Sequence, residues 1–381
     1  MNQKIFDVII VGLGGIGSSA AYHLSSKGLR SMGLERFEPA HDHGSSHGES
    51  RIIRKAYFEH PSYVPLLHRS FELWSELEEK AGFQIHIMTG GVMIGSESSM
   101  LIKGCLRSSN EHGLEHEILS SQELKERFPP FELSDEMVGF YEKSAGVLFP
   151  EKCIEANLKL AMRNGMSNQF EEEVQELRLD TNPLEVVTNK STYRTRKLVL
   201  CAGAWLKKLL PGLLPPLKVE RKVMHWFKTH MKSHHFHPDH FPIYAYDAPD
   251  GTFLYGFPAL DEHHREIKFA IHNDLVEESD PDSLNRAVST EEILQVRSKH
   301  DEILPGAAGD HLKSLTCMYT LTRDQHFLLG CLNQNQNVII AGGFSGHGFK
   351  FASVMGEIIA DLVCENPLNQ SIELFNLNRF K

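Results

Sequence analysis

The sequence predicts a mixed α/β and α+β chain: one α/β domain assembled from discontinuous segments, beside a second domain built on a mostly antiparallel β-sheet. Three observations carry this. The apolar run Val8-Ile9-Ile10-Val11 enters Gly12-Leu13-Gly14-Gly15-Ile16-Gly17 and then Ser18-Ser19-Ala20-Ala21, which is the order strand, tight turn, helix. A buried-strand run ending in small residues returns at Leu198 to Ala204 and again at Val338 to Gly343. Between these returns lie short alternating strands, as at Gly90 to Gly95 and Glu266 to His272. Consecutive domains would not interleave in this way.

The glycine turn gives the first domain a chemistry. In a Rossmann-type unit one glycine allows the sharp turn, one allows the backbone to approach a pyrophosphate, and one lets helix and strand pack closely. Gly12, Gly14 and Gly17 occupy those places, and the N-terminus of the following helix favours an anion. Arg30 to Leu34 reads as the next strand, ending at Glu35, where a carboxylate accepts from a ribose hydroxyl. In an ordinary βαβ unit with a glycine-rich turn, Glu35 reads instead as a solvated strand-end charge.

Composition narrows the partners. The 381 residues are 41% hydrophobic, enough for two cored units. With 39 basic and 50 acidic residues the net charge is −11, which argues against nucleic acid and, more weakly, against an anionic membrane surface. No stretch approaches the roughly 18 apolar residues of a membrane span, and no signal-peptide core precedes the first strand, so a cytoplasmic protein is expected. The cysteines at 105, 153, 201, 317, 331 and 364 form no C-x-x-C pair and read as reduced thiols.

Taken in order, Asp42 to Arg54 is too rich in glycine and serine for an element interior and too cationic for a passive linker. Alone, His47, Arg51 and Arg54 suit surface charges equally well. Tyr63 to Gly82 carries an amphipathic stripe at Leu66, Leu67, Phe71, Trp74 and Leu77. A helix is expected near Gln122 to Phe128, and helix resumes near Gly146 to Pro150 with Cys153 to Asn164 as its body. Strands follow at Phe170 to Leu179, Leu184 to Asn189, Lys222 to Thr229 and Phe253 to Phe257, and a helix near Thr290 to Ile303. His230 to His240 holds five histidines but lacks ligand spacing on a fixed scaffold, so it reads as a mobile surface loop. The last helix runs from Phe351 to Cys364. The expected division is 1–84, 146–217 and 318–381 for the nucleotide domain, and 85–145 with 218–317 for the substrate domain.

Glycine turns that recur to the last helix suit a large cofactor wrapped by the whole chain, and FAD is the natural candidate. The stretches Gly44 to Arg54, Tyr255-Gly256-Phe257-Pro258, Thr316-Cys317-Met318-Tyr319-Thr320 and Gly343 to Phe351 resemble the monomeric sarcosine oxidase and N-methyltryptophan oxidase family, in order and across the chain. The resemblance implies a flavoprotein oxidase that converts an N-methyl amino acid to the primary amino acid, formaldehyde and hydrogen peroxide, using O2 and acting as a monomer. It implies flavin contacts at Arg36, Ser45, Ser50, Gly343, Gly346, Gly348 and Lys350, besides the first turn, with Cys317 joined covalently to the ring. Arg54 and Lys350 become the clamp for the substrate carboxylate, with Tyr255 and His347 beside it. Lys268 becomes the oxygen-activating lysine, with His272, which would share its strand face, and with His47 and Arg51 in the catalytic set. Without the resemblance, Lys268 reads as an outward strand charge.

The chain also departs from the family pattern. Arg323, Gln325 and Gly330 stand where a proline and two carboxylates are expected, and Ala245 or Tyr246 stands where sarcosine enzymes place a methionine. A smaller residue there admits a side chain larger than hydrogen. Two other readings stay open: a related amine oxidase or dehydrogenase acting on glycine, pipecolate or a glycated amino acid, and a flavin-binding redox sensor without turnover.

Overall fold

Parallel strands covered on both faces need continuous apolar runs, and the strands that build the first sheet supply them. The computed structural model describes residues 5–274 and 278–380. Its first sheet joins β1 (Ile5–Val11), β2 (Ser31–Leu34), β9 (Ser167–Gln169), β10 (Val174–Arg178), β11 (Leu184–Thr188), β12 (Thr192–Leu200), β18 (Leu328–Leu332) and β19 (Asn335–Gly342). The order is β10-β11-β12-β1-β2-β9, with β19 also on β12 and β18 on β19. On the edge away from β1, β12 serves two neighbours: Thr192 to Thr195 pair antiparallel with β11, while Leu198 to Leu200 pair parallel with Val338 to Ile340. The parallel strands β2, β1, β12 and β19 therefore end on one side, at Leu34, Val11, Leu200 and Gly342. Ligands bind outside the carboxyl ends of such strands, and the three separated returns meet there.

Two helices close over this sheet. α1 (Gly15–Ser26) and α8 (Ala352–Cys364) lie together, and Ser19 Oγ donates to Ser353 O at 3.3 Å. Their approach requires Gly356, where a Cβ would stand 2.2 Å from Ser19 Oγ. Leu24, Val354, Met355 and Ile359 are fully buried here, each worth about 1.5–3 kcal/mol of apolar burial. α2 (Val64–Ala81) and α5 (Pro150–Arg163) complete the layer.

The second sheet is antiparallel apart from one pair. It orders β17 (Asp310–Leu321), β13 (Lys218–Lys228), β16 (Glu266–Ile271), β15 (Phe253–Gly256), β14 (Ile243–Asp247), β5 (Gly91–Ser96), β7 (Met137–Glu142) and β6 (Glu117–Ser120), with β14 and β5 parallel. Direct cross-strand partners share a face. The pairs Lys222–Cys317, Trp226–Lys268, Tyr255–Ala270 and Ala245–Tyr255 thus place Lys222, Cys317, Lys268, Tyr255 and Ala245 on one face. The other face buries Phe227, Phe269, Tyr244 and Leu254, and His300 of α7 (Thr290–Asp301) stacks on Phe269 at 3.8 Å between ring centroids. A small sheet of β3 (Arg51–Ile53), β8 (Gly146–Leu148) and β4 (His86–Ile87) carries Arg51.

Three local expectations differ from the structure. Gly146 to Leu148 is strand, and helix begins only at Pro150, whose missing N–H suits a first helical position. α3 (Met100–His112) was not expected, and α4 (Ser121–Arg127) stands where a short helix was. Phe236 and Phe241 are 1% exposed, so the histidine-rich segment is anchored through two aromatic rings into the substrate-domain core. α6 (Leu206–Leu209) follows β12 closely.

Candidate active site

One cavity of about 650 Å³ runs from the first glycine turn, across the strand ends, to the site face of the second sheet. At its nucleotide end the wall is backbone. Gly12 has φ +88°, and a Cβ there would lie 2.6 Å from Cys201 O, so no other residue fits. Gly17 packs α1 on the turn, its hypothetical Cβ 1.8 Å from Gly12 O, whereas Gly14 opens on the cavity with only Ser46 Oγ nearby at 3.8 Å. The N-cap residue of α1, Gly14, supplies no side-chain cap, and the first turn holds no acidic residue; Gly15 N donates to Ser46 Oγ at 3.2 Å, and the remaining N–H groups of this positive end suit an anion. Glu35 is buried, with its carboxylate accepting from Leu13 N at 2.7 Å and Phe37 N at 3.1 Å. Arg36 lies at the mouth, paired with Asp282 at 2.6 Å.

The middle of the cavity is organised by Arg51. Its Nη2 donates to Ser45 O at 2.9 Å and stands 3.8 Å from Cys317 Sγ. Lys268 is buried one layer behind, donating to Gly48 O at 2.6 Å and to Ser50 O and Oγ at 3.0 Å. It lies over the Phe257 ring at 4.7 Å, and burial, reinforced by Arg51, pushes its pKa well down. His47 is also behind the wall; burial, then Arg51, lowers it to about 3, and neither ring nitrogen has a hydrogen-bond partner among the described residues.

The far end is built from side chains. Arg54 is 5% exposed, with Nη2 3.0 Å from Glu59 Oε2 and Nη1 donating to Ala56 O. Lys350 Nζ donates to His347 O at 3.0 Å, and burial with the neighbouring Arg54 lowers its pKa to about 7 against the pull of Glu59. Burial works against ionisation of Glu59, yet Arg54, His347 and Lys350 hold it below the usual carboxylate range. His347 Nε2 faces Gln325 O at 2.9 Å and so carries the hydrogen, leaving Nδ1 to accept from Tyr57 OH at 2.5 Å. Burial keeps His347 neutral, at about 4.

Beside this clamp stands a polar and aromatic wall. His272 Nδ1 is 3.2 Å from Tyr319 OH, and the hydroxyls of Tyr319 and Tyr255 interact. Burial lowers His272 to about 3 and raises Tyr255 to about 12. Phe58 and Phe253 pair at 5.6 Å, with Ala245 lining the same space.

Of the residues singled out from sequence, Gly12, Gly14, Glu35, Arg36, Ser45, Arg51, Arg54, Tyr255, His272 and Cys317 line the cavity, as do Gly343, Gly346, His347, Gly348 and Lys350. Gly17, His47, Ser50 and Lys268 support that wall from behind. Lys268 and His272 do share the strand face, but Gly48 and Ser50 cover Lys268. Sequence reasoning missed Glu59, Tyr57 and Tyr319. Tyr319 follows Cys317 by two residues on β17, and strand alternation alone puts it on the same face.

The donor set suits a dinucleotide flavin: a helix start with no acidic residue in its first turn, an open glycine at Gly14, and a continuous cavity that reaches a cysteine. The comparisons agree. The sequence matches the profile of the FAD dependent oxidoreductase family over residues 7–362. It is 41% identical to the monomeric sarcosine oxidase of Streptomyces avermitilis over 98% of this chain and 97% of that protein. It is 32% identical to the N-methyl-L-tryptophan oxidase of Yersinia pestis over 99% of this chain and all of that one. The structure of NikD, an amino acid oxidase essential for nikkomycin biosynthesis, superposes with a TM-score of 0.85 at 22% identity, covering 98% of each chain, and supports the fold. No helix among the described residues is long and apolar enough to cross a membrane. A cofactor cavity assembled from three separated segments, matched by whole-length relatives, establishes that this chain belongs to the FAD-dependent oxidoreductase family, among enzymes of the sarcosine oxidase and N-methyltryptophan oxidase kind.

Proposed function

We propose that the chain oxidatively demethylates a secondary N-methyl amino acid, sarcosine or N-methyl-L-tryptophan, releasing the primary amino acid, formaldehyde and hydrogen peroxide. The observation that carries this reading is the buried pair Arg54 and Lys350 on the cavity wall, with the Glu59 carboxylate on Arg54. When bound, the flavin supplies a two-electron acceptor for the C–N bond and passes the electrons to O2.

The chain's own groups prepare that step. A substrate carboxylate displaces Glu59 and takes the planar fork of Arg54 and the ammonium of Lys350. Those cations also disfavour a protonated amine nearby, and neutral His272 adds no charge of its own. Tyr255 and Tyr319 fix the reacting end, and a misplacement of about 1 Å can cost on the order of a hundredfold in rate. Lys268 serves the reduction of O2 from behind the wall. Cys317, with Arg51 Nη2 3.8 Å from its Sγ, is the residue that would hold the flavin covalently, through a thioether. The enzyme works as a monomer in the cytoplasm. Phe58, Phe253 and Ala245 favour the bulkier of the two substrates, because an aromatic side chain finds ring faces and the room that Ala245 leaves.

The test is an anaerobic flavin-bleaching screen with sarcosine, N-methyl-L-tryptophan, glycine, pipecolate and a glycated amino acid, followed by formaldehyde and peroxide assays under air. Bleaching by an N-methyl amino acid with stoichiometric formaldehyde is expected. Bleaching by the other amines alone moves the chain to a related oxidase or dehydrogenase, and no bleaching at all to a redox sensor. Yellow colour remaining with acid-precipitated protein is expected for the covalent bond; colour in the supernatant rejects it.

A further inference from the structure

Lys222 has no place in the chemistry derived so far, yet it is a buried cation on the cavity wall, 4% exposed. It stands opposite Cys317 on the site face of the second sheet. Its Nζ donates to Asp274 O at 2.8 Å and Asp274 Oδ1 at 2.7 Å, lies 3.1 Å from Glu220 Oε2, and sits 5.5 Å from the centre of the Tyr319 ring. Lys218 also holds Glu220, at 2.7 Å. Burial opposes ionisation of Glu220, but the two lysines outweigh it and keep the carboxyl below its usual range.

These bonds fix the chain where it leaves β16. His272 N donates to Phe253 O at 2.7 Å, and Phe253 N donates to Asn273 Oδ1 at 2.8 Å, tying one side of the turn to β15. Lys222 ties the other side, through Asp274, to β13. Between the two ties the imidazole of His272 reaches Tyr319, whose ring lies under the same ammonium.

We propose that Lys222 is a positioning residue for the cavity: it holds the His272–Tyr319 pair in register against Tyr255 and keeps the reacting end of the substrate aligned. This rests on the reading of the cavity as an amine-oxidising site. Its charge acts in the same direction as its geometry. The groups facing His272 are His347, Glu59, Lys222, Lys350 and the Tyr255 and Tyr319 hydroxyls; burial, then His347, lowers its pKa, and Lys222 and Lys350 add to the lowering while Glu59 opposes it. Removing the Lys222 charge therefore raises the His272 pKa. Against Lys222 itself stand Glu220 and Asp274, which bind it, and Cys317 across the strand pair.

The test compares Lys222→Met, Lys222→Arg and Asp274→Asn as holoenzymes, using whichever amine reduces the wild-type flavin. Lys222→Met is expected to lower kcat/KM at least tenfold at unchanged flavin content, with the loss in kcat rather than in KM, because Arg54 and Lys350 are left untouched while the reacting end is misaligned. Lys222→Arg restores kcat/KM to within about threefold, because a long cation still reaches Asp274. Asp274→Asn gives a partial loss and keeps the result readable if Lys222→Met does not fold. An unchanged kcat in Lys222→Met overturns the proposal, as does a loss confined to KM. So does an equal loss in the Met and Arg variants that follows melting temperature alone, and so does a wild-type kcat in Asp274→Asn when Lys222→Met is insoluble. A wild-type protein bleached by no N-methyl amino acid but by another amine fails the substrate reading alone, since the comparison then runs on that amine.

Discussion

The two ends of the cavity are made of different material. At the nucleotide end, Gly12, Gly14, Leu13 N–H and the start of α1 present backbone, and the charged groups are engaged locally, Glu35 with amides and Arg36 with Asp282. At the substrate end, Arg54, Lys350, Tyr255, His272 and Tyr319 come from five separate stretches and present side chains. A backbone site is intolerant of an added atom. A side-chain site tolerates substitution and answers with changed affinity or selectivity.

Substitutions at the two ends should therefore fail differently. The largest effect is expected at Gly12→Ala, where a positive φ and a Cβ 2.6 Å from Cys201 O coincide. Flavin absorbance per mole of protein should fall below about a tenth of wild type, and a fully loaded variant would erase the distinction. Next comes Lys350→Ala, expected to raise KM on the order of a hundredfold with flavin content intact, as for loss of one partner of a buried charged contact. The same lysine gives the pH signature. With a pKa of about 7 in the free enzyme, it loses its charge as pH rises through 7, so flavin-monitored binding of a simple carboxylic acid should weaken above that pH. Lys350→Ala should abolish that dependence. The smallest effect is expected at Ala245→Leu, which fills space beside Phe253. Its selectivity, as the ratio of kcat/KM for N-methyl-L-tryptophan to that for sarcosine, should drop about tenfold, the scale set by a few methylenes in an apolar pocket.

The same contrast explains what the sequence disclosed. β1, β12 and β19 were legible because a parallel strand buried on both faces is an unbroken apolar run, and the glycine turn after β1 has local reasons for each glycine. α3 was not, because Gly104 and paired serines weaken its helical pattern. Gly104 is there because Phe58 O would lie 2.4 Å from a Cβ, a tertiary reason no local window contains. Arg54, Lys350 and Cys317 were found through the resemblance, not from spacing. Glu59 escaped because a single carboxylate after Tyr57-Phe58 has no periodicity, and its importance comes only from folding back on Arg54. Lys222 looked like any strand lysine until its register opposite Cys317 was known.

The pairing of Val338 to Ile340 with the middle of β12, and of α8 with α1, has a consequence for synthesis on the ribosome. β19 and α8 follow the other named strands and α-helices in chain order, so the rim at the carboxyl ends of the first sheet is incomplete until they fold against β12 and α1. Until then the edge of β12 that receives β19 stays unpaired, whereas β1 already has β2 and β12 on its two sides.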